Sequence, residues 1–210
     1  MFYFIGGAPR AGKTTVAKRL SKELGVPWIS TDTLEAVVSE YVAEETFPLI
    51  FPKSVLRRDT QQSNDELYGS YSAENIVAAY FEQARGLRAA LGAFLASEET
   101  YDHSYILEGY HLLPEIVNDL AKKYSVQSIF VGREDVAATL KAIRESTQKN
   151  DWVISKTIHE GTFSKIADML VLFSSHIKSA AEKHDLQYID VGADFDSSVA
   201  RSVQYLKSTD

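Results

Sequence analysis

The stretch GAPRAGKT at residues 7–14 constrains the fold of this chain more than any other feature. It fits the pattern G-x-x-x-x-G-K-[S/T], follows the β-prone run FYFIG at residues 2–6 and opens an amphipathic stretch at 13–24. Glycines let a loop turn its backbone N–H groups around phosphate oxygens, and the following helix adds the positive end of its dipole. The spacing and position predict a strand, a phosphate loop and a helix that together bind a nucleotide. The alternative is a chance glycine turn before a helix.

The loop residues have distinct expected roles. Lys13 would reach the β- and γ-phosphates of the nucleotide, and the hydroxyl group of Thr14 would hold Mg²⁺. The motif therefore predicts a bound nucleotide and Mg²⁺ but leaves the choice between ATP and GTP open. The residues expected to surround the phosphates are Gly7, Ala8, Pro9, Arg10, Ala11, Gly12, Lys13, Thr14 and Thr15.

Short β-prone runs alternate with long helical stretches along the chain, a pattern typical of helices packed on a parallel sheet. The predicted strands are residues 2–6, 28–30, 104–109, 126–132 and 186–192. The predicted helices are residues 13–24, 33–43, 74–97, 114–124, 134–146, 156–184 and 195–207. The sequence therefore predicts an α/β fold.

The length of 210 residues favours a single domain that spans residues 1–210 and carries a small inserted element. Residues 44–72 form the least regular segment and include Pro48, Pro52 and several polar turn formers. We interpret this segment as an insertion or cap on the side of the phosphoryl acceptor.

The composition excludes several classes of function. A net charge of −7 argues against a broad nucleic-acid or anionic-membrane surface, because both need basic residues, and the absence of cysteine excludes thiolate zinc sites and cysteine nucleophiles. The apolar stretch at 1–5 is too short for a signal peptide, and charged residues interrupt the run at 76–96. The acidic pair Glu98 and Glu99 is interpreted as solvated surface. We expect a soluble cytoplasmic protein without nucleic-acid or membrane partners.

Asp32 follows the second predicted strand, at the edge of the sheet where ligands of open α/β folds bind. A carboxylate there could orient an acceptor hydroxyl group toward the γ-phosphate and accept its proton. The alternative is that Asp32 caps the following helix, with Glu35 as its reciprocal partner. Both roles are compatible with the sequence.

Three features of the chain resemble one known family. The loop GGAPRAGKTT, the aspartate after the second strand and the stretch ILEGYHLLP after the third resemble the small-molecule and nucleotide kinases of the P-loop superfamily. Similar members are the 2-phosphoglycerate-kinase-like proteins, the zeta toxins and chloramphenicol phosphotransferase. The resemblance implies a three-layer fold, with a five-stranded parallel sheet in the order 2-3-1-4-5, helices on both faces and a small lid. It also implies that Asp32 binds or activates the acceptor.

The same resemblance locates the lid at about residues 133–156. Lid arginines commonly supply positive charge to the transferred phosphoryl group. Arg144 is the first candidate for this catalytic role and Arg133 the second, while a solvated helix face is the alternative for both. The region is poorer in arginine than the lids of nucleoside monophosphate kinases, which disfavours nucleotide acceptors.

Further candidates lie beside the phosphate loop and in the cap. Glu108 stands where the family more often has aspartate, and it could meet Mg²⁺ through water or simply bond to loop amides. Tyr110 and His111 could face the acceptor, although a lone histidine is more often packed or solvated. Arg57 and Arg58 could bind a carboxylate or phosphate of the acceptor, or form an ordinary surface pair.

The residues and the resemblance together predict an ATP- and Mg²⁺-dependent phosphotransferase that acts on a hydroxyl group of a small metabolite. Its expected catalytic residues are Lys13, Asp32 and Arg144. One alternative is a nucleotide or polynucleotide kinase, and another is a nucleotide-binding regulatory or NTPase module. The expected partners are ATP and a small-molecule acceptor, bound by a monomer or homodimer.

Overall fold

The computed structural model of the protein describes residues 1–97, 103–147, 151–192 and 194–208. Glu98, Glu99 and residues 148–150 of the predicted lid lie outside these ranges. The sheet has five parallel strands in the order β2-β3-β1-β4-β5, which confirms the predicted order. The strands are β1 (Phe2–Gly7), β2 (Trp28–Ser30), β3 (Tyr105–Glu108), β4 (Val126–Gly132) and β5 (Tyr188–Asp190).

Helices surround this sheet, and their order along the chain matches the predicted alternation. The helices of the described residues are α1 (Lys13–Leu24), α2 (Thr31–Ser39), α3 (Phe47–Ile50), α4 (Pro52–Asp59), α5 (Asn64–Ser70), α6 (Ala73–Gly86), α7 (Arg88–Ala96), α8 (Pro114–Ala121), α9 (Val136–Arg144), α10 (Trp152–Ser155), α11 (Glu160–Lys183) and α12 (Phe195–Lys207). In the part of the chain that the structure describes, no helix combines the length and the apolar character needed to cross a membrane.

The sheet is covered on both faces because its central strand is apolar on both. Phe2 and Phe4 of β1 belong to one buried cluster, whereas Tyr3 and Ile5 belong to a second. Successive side chains of a strand point to opposite faces, so the two clusters lie on opposite sides of the sheet. Helices α6, α8 and α11 contribute to the first cluster, and α1 and α12 contribute to the second. The layered arrangement agrees with the prediction.

The segment 44–72 departs from the expectation of irregular structure, because α3, α4 and α5 lie within it. Pro48 and Pro52 stand in the first turns of α3 and α4. Proline is favoured at a helix start, where its missing N–H group has no intrahelical partner to lose. The predicted helix 74–97 is also divided, at Leu87, next to the poor helix former Gly86.

The strand register places the candidate residues at one edge of the sheet. Glu108, the last residue of β3, pairs with Ile5 of β1 and with Ser30 of β2. The phosphate loop begins directly after β1, and α2 begins directly after β2. The carboxyl ends of β1, β2 and β3 therefore meet beside the same cleft.

Candidate active site

A cleft of about 1210 Å³ lies at this edge of the sheet. The parts of the chain that contribute to its walls include the phosphate loop, the first turns of α2, the end of β3, the cap at 44–72 and the lid region at 133–156. Lys13, Thr14, Asp32, Glu108 and Tyr110 are among the predicted residues that line it. The fold therefore gathers at one cavity residues that are far apart in the sequence.

The phosphate loop is shaped as the motif predicts. Gly12 adopts the left-handed conformation (φ 84°) before α1, and none of the described side chains caps this helix start. Lys13 is buried, and its ammonium group donates to the carbonyl oxygen of Ala8 at 2.7 Å. Burial lowers the pKa of Lys13, and the nearby Glu108 and Asp32 carboxylates oppose this shift. Free N–H groups at a helix start, beside a lysine, form a common phosphate site.

Thr14 and Glu108 lie in direct contact in this cleft. The Thr14 hydroxyl group donates to Glu108 Oε1 at 3.0 Å, although the two residues are 94 positions apart. Burial raises the pKa of the Glu108 carboxyl group, and Lys13 and the Thr14 hydrogen bond oppose the shift. A hydroxyl oxygen and a carboxylate beside a phosphate loop are hard oxygen ligands, which fit Mg²⁺. These two residues would hold the ion.

Asp32 lies in the first turn of α2, with 69% of its side chain exposed. Ser30 caps this helix, because its hydroxyl oxygen accepts a hydrogen bond from the Asp32 N–H group at 3.3 Å. The alternative that Asp32 is the capping residue is therefore wrong. Its carboxylate is open to the cleft, which it lines together with Lys13.

Glu35 is the centre of a polar network that the sequence did not reveal. Its carboxylate accepts hydrogen bonds from the Lys53 ammonium group (3.0 and 3.2 Å), the Tyr110 hydroxyl group (2.7 Å) and His111 Nε2 (2.8 Å). The amide of Gln83 donates to the Tyr110 oxygen at 3.1 Å. Glu35 stands three positions after an aspartate that faces the cleft, and such residues share a helix face. That spacing could have indicated its place in the cleft, but the sequence pattern also fitted a reciprocal partner in a helix cap.

The electrostatics of this network favour an ionised glutamate and a neutral histidine. Burial by itself would raise the pKa of Glu35, but the His111 and Tyr110 hydrogen bonds and the Lys53 charge lower it below its ordinary value. Burial lowers the pKa of His111 despite the nearby carboxylate. We assign the proton to Nε2, because Nδ1 lies 2.8 Å from the Thr31 hydroxyl group, which can donate to it. Burial and Glu35 raise the pKa of Tyr110, so that its hydroxyl group stays protonated.

Gly109 makes room for this arrangement at the end of β3. A Cβ atom at this position would lie 1.7 Å from the hydroxyl oxygen of Thr31, the same oxygen that bonds to His111. Any side chain at residue 109 would displace the group that orients the imidazole ring. His111 is fully buried and does not line the cleft, so the expectation that it faces the acceptor is not met.

The carboxylates of Asp32 and Glu35 and the imidazole of His111 bring three ligand atoms within 4.8 Å of one another. This set has the composition of a metal site. However, the ammonium group of Lys53 already bonds to both carboxylate oxygens of Glu35. The cation that balances Glu35 is therefore supplied by the protein itself.

The lid region is fastened to the phosphate loop. Arg10, in the left-handed conformation (φ 60°), forms an ion pair with Asp151. The Asp151 side chain is fully buried, accepts a hydrogen bond from Ser146 Oγ at 2.6 Å and caps α10 through the Val153 N–H group at 3.0 Å. Burial would raise the pKa of Asp151, but the Arg10 and Ser146 hydrogen bonds lower it.

Arg144, the first candidate for the catalytic arginine of the lid, lies outside the cleft. Arg144 forms an ion pair with Glu160 at the start of α11, has 54% of its side chain exposed and does not line the cleft. The last turn of α9 presents Arg144 to α11, whereas its neighbour Ile143 faces the cleft. Arg133, the second candidate, does line the cleft, with its guanidinium carbon 5.9 Å from the centre of the Phe195 ring.

The structure separates the arginine pair of the cap. Arg57 lines the cleft, lies over the Trp152 ring at 4.9 Å and donates to Asn64 Oδ1 at 2.6 Å. Arg58 is exposed, lies over Phe47 at 3.9 Å and does not line the cleft. Adjacent residues of a helix point about 100° apart, so the two guanidinium groups cannot share one ligand from α4.

Comparisons with known proteins give a consistent fold. No family profile matches the chain. A gluconokinase from Sinorhizobium meliloti 1021 superposes on 97% of this chain and 90% of its own, with a TM-score of 0.54 and 14% sequence identity. The chain has the fold of the P-loop kinases. The resemblance noted in the sequence is thereby confirmed at the level of the fold.

Another solved structure and one curated relative show weaker similarity to the chain. A shikimate kinase from Bacteroides thetaiotaomicron aligns with 99% of this chain and 96% of its own, at a TM-score of 0.45 and 17% identity. The mevalonate-3-phosphate 5-kinase of Thermoplasma acidophilum is 25% identical over 120 residues, which are 57% of this chain and 55% of that protein. The chain thus spans about half the length of the curated relative that it matches.

Proposed function

We propose that this protein is a kinase that transfers the γ-phosphoryl group of ATP to a hydroxyl group of a small metabolite. The observation that carries the proposal is the contact between Thr14 and Glu108 at 3.0 Å beside the buried Lys13. A phosphate loop alone indicates nucleotide binding. A hydroxyl group and a carboxylate that would hold Mg²⁺, in the same cleft as the open carboxylate of Asp32, support transfer to an acceptor.

The chain's own residues perform four tasks in this mechanism. The phosphate loop binds the nucleotide, and Lys13 neutralises charge on its phosphates. Mg²⁺ held by Thr14 and Glu108 would supply further charge neutralisation. Asp32 orients the acceptor hydroxyl group and takes its proton as the oxygen bonds to the γ-phosphorus and the bond to the bridging oxygen breaks. ADP and a phosphorylated acceptor leave.

The network around Glu35 and two arginines of the cleft have supporting roles in this mechanism. The network around Glu35 holds α2 against α4 and the end of β3, and so fixes the helix that carries Asp32. Arg10 and Arg133 line the cleft, as Arg57 does, whereas Arg144 does not. We propose that Arg10 and Arg133 meet the transferred phosphoryl group. We further propose that the protein acts in the cytoplasm, as a monomer or homodimer, without nucleic-acid or membrane partners.

The test is the transfer of labelled γ-phosphate from ATP into a pooled mixture of small metabolites, with the products identified by mass. We expect a labelled product with the wild-type protein and none with Lys13→Ala. Lys22→Ala, an exposed residue of the same helix, is the matched control and should retain the activity.

The other outcomes separate the alternatives. Label found only in nucleotides or oligonucleotides would indicate a nucleotide or polynucleotide kinase. Label released only as free phosphate would indicate an NTPase, and ATP binding without any release would indicate a regulatory module. Each of these results would overturn the proposal.

A further inference from the structure

The cap and the lid region contribute a cluster of hydrogen-bond donors to the wall of the cleft. Arg57 of α4, Gln62 of the turn before α5 and Lys156 after α10 all line it. We call these three residues the cap subsite. The mechanism above assigns them no role, and the sequence indicated Arg57 but neither of its neighbours.

The two cations of the cap subsite have neutral partners. One N–H group of Arg57 donates to Asn64 Oδ1, and Lys156 Nζ donates to Gln62 Oε1 at 3.3 Å. Among the described residues, neither Arg57 nor Lys156 forms an ion pair with a carboxylate, although the chain carries a net charge of −7. A guanidinium group has five N–H donors and an ammonium group has three, so most of their donors remain for a ligand.

The backbone around Gln62 adopts a conformation that non-glycine residues rarely use. Gln61 and Gln62 both have positive φ, at 49° and 65°. The turn is closed by the Gln62 N–H group, which donates to the Arg57 carbonyl oxygen at 2.8 Å. Such strained residues persist where the surrounding structure holds them, often at binding sites. Because Lys156 occupies Oε1 of Gln62, the amide N–H groups of Gln62 become a third donor.

Buried Asn64 fixes the positions of the two cations relative to each other. Its side-chain oxygen accepts from Arg57, and its backbone N–H group donates to the Lys156 carbonyl oxygen at 2.9 Å. Its amide nitrogen donates to the Trp152 carbonyl oxygen at 3.1 Å and to Thr157 Oγ1 at 2.9 Å. The cap and the lid region are thus joined by one side chain, and the subsite is preorganised.

The cap subsite lies on the acceptor side of the cleft. Arg57 stands four positions after Lys53 on α4, so the two side chains are neighbours on one helix face, about 6 Å apart at Cβ. Lys53 bonds to Glu35, which stands three positions after Asp32 on α2. An acceptor whose hydroxyl group meets Asp32 would therefore extend toward Arg57.

We infer that the cap subsite binds an oxyanionic group, a carboxylate or a phosphate, of the phosphoryl acceptor. The acceptor is then a small hydroxylated oxyanion rather than a neutral sugar or polyol. The remaining N–H donors of the guanidinium, carboxamide and ammonium groups match the oxygens of such a group. That the bound oxyanion is the phosphoryl acceptor rests on the proposed function, but the binding of an oxyanion is testable without it.

The first experiment measures transfer from labelled ATP into three separate pools: neutral sugars and polyols, hydroxycarboxylates, and phosphate monoesters with a free hydroxyl group. We expect label in one of the two anionic pools, and the labelled pool identifies the oxyanion. For that acceptor, Arg57→Leu and Lys156→Leu should each raise KM roughly tenfold or more and leave the KM for ATP unchanged. Arg58→Leu, which the structure places outside the cleft, is the matched control.

The second experiment keeps the inference testable if no pool is labelled, a result that would contradict the proposed function. Inorganic phosphate is titrated into the ADP-saturated protein by calorimetry, or into the free protein if ADP does not bind. Binding that Arg57→Leu abolishes and Arg58→Leu preserves would support the subsite. Phosphate binding unaffected by Arg57→Leu, no phosphate binding, label in the neutral pool alone, or a raised KM for ATP alone would overturn it.

Discussion

The guanidinium group of Arg10, in the phosphate loop, is paired with the fully buried carboxylate of Asp151, in the lid region. This ion pair joins the phosphate loop to the segment that begins α10, and both residues line the cleft. Nucleotide phosphates would offer Arg10 a second anionic partner. We therefore expect the contribution of this pair to stability to depend on whether a nucleotide occupies the phosphate loop.

Replacing Asp151→Asn should destabilise the nucleotide-free protein by roughly 2 to 3 kcal/mol, because Arg10 would lose its charged partner in a poorly solvated place. Urea denaturation measures this loss. A saturating non-hydrolysable ATP analogue should reduce the difference in unfolding free energy between the variant and wild type, since its phosphates would replace the missing charge. Glu160→Gln, which breaks the exposed pair with Arg144, should cause little change in either state. A difference that stays constant with the analogue would show that Arg10 does not reach the phosphates.

Replacing Asp32→Asn should lower the transfer rate roughly 100- to 10,000-fold, the range of a lost general base, while ATP binding is retained. Because Ser30 rather than Asp32 caps α2, the melting temperature should change little. Transfer kinetics, nucleotide titration and thermal denaturation measure the three quantities. Full activity combined with a clear loss of stability would show that Asp32 is structural.

Replacing Glu108→Gln should lower transfer roughly 100-fold or more, because the variant loses the carboxylate that would hold Mg²⁺. Burial raises the pKa of Glu108 in the folded state. Ionisation of Glu108 therefore destabilises the folded protein once the pH exceeds the ordinary pKa of glutamate. The metal-free variant should therefore be at least as stable as wild type at pH 7, with no advantage below about pH 4. Added Mg²⁺ should raise the melting temperature of the nucleotide-bound wild type alone. Equal stabilisation of both proteins would exclude Glu108 from the metal site.

Replacing Glu35→Gln should cost about 2 kcal/mol of stability at neutral pH, since Lys53 loses its charged acceptor. The pKa of Glu35 is lowered in the folded state, so its contribution is complete above the ordinary glutamate pKa of about 4.3 and decreases as the pH falls below it. Urea denaturation between pH 7 and pH 3 should show the unfolding free energy of the variant approaching that of wild type as the pH falls. Glu115→Gln, which breaks an exposed pair with Arg85, is the control. A difference that does not depend on pH would contradict this assignment.

Local sequence patterns predicted the scaffold closely. Helix α1 ends at Gly25, which adopts the left-handed conformation (φ 68°) and bonds back to Ser21, as expected of a helix C-terminal glycine. The bounds of β4 and α12 also agree with the prediction. These features depend on alternation, helical periodicity and end residues, all of which act over a few neighbouring positions.

Side-chain partners across the cleft could not be predicted in the same way. Glu35 and His111 are 76 positions apart, and nothing near either residue indicates their contact. Arg144 was a reasonable lid candidate by position, but the turn of α9 directs it to Glu160. Arg57 and Arg58 are equivalent in the sequence and differ only in which face of α4 they occupy.

The sequence by itself determined the phosphate loop, the alternation of strands and helices and the place of Asp32 at the sheet edge, because short-range geometry and apolar periodicity specify them. Only the tertiary structure decided the network around Glu35, the Arg10–Asp151 pair and the composition of the cap subsite. Those contacts depend on the packing of α4 and the lid region against the sheet. Packing decides which partner each of these polar side chains meets, and no local pattern encodes that partner.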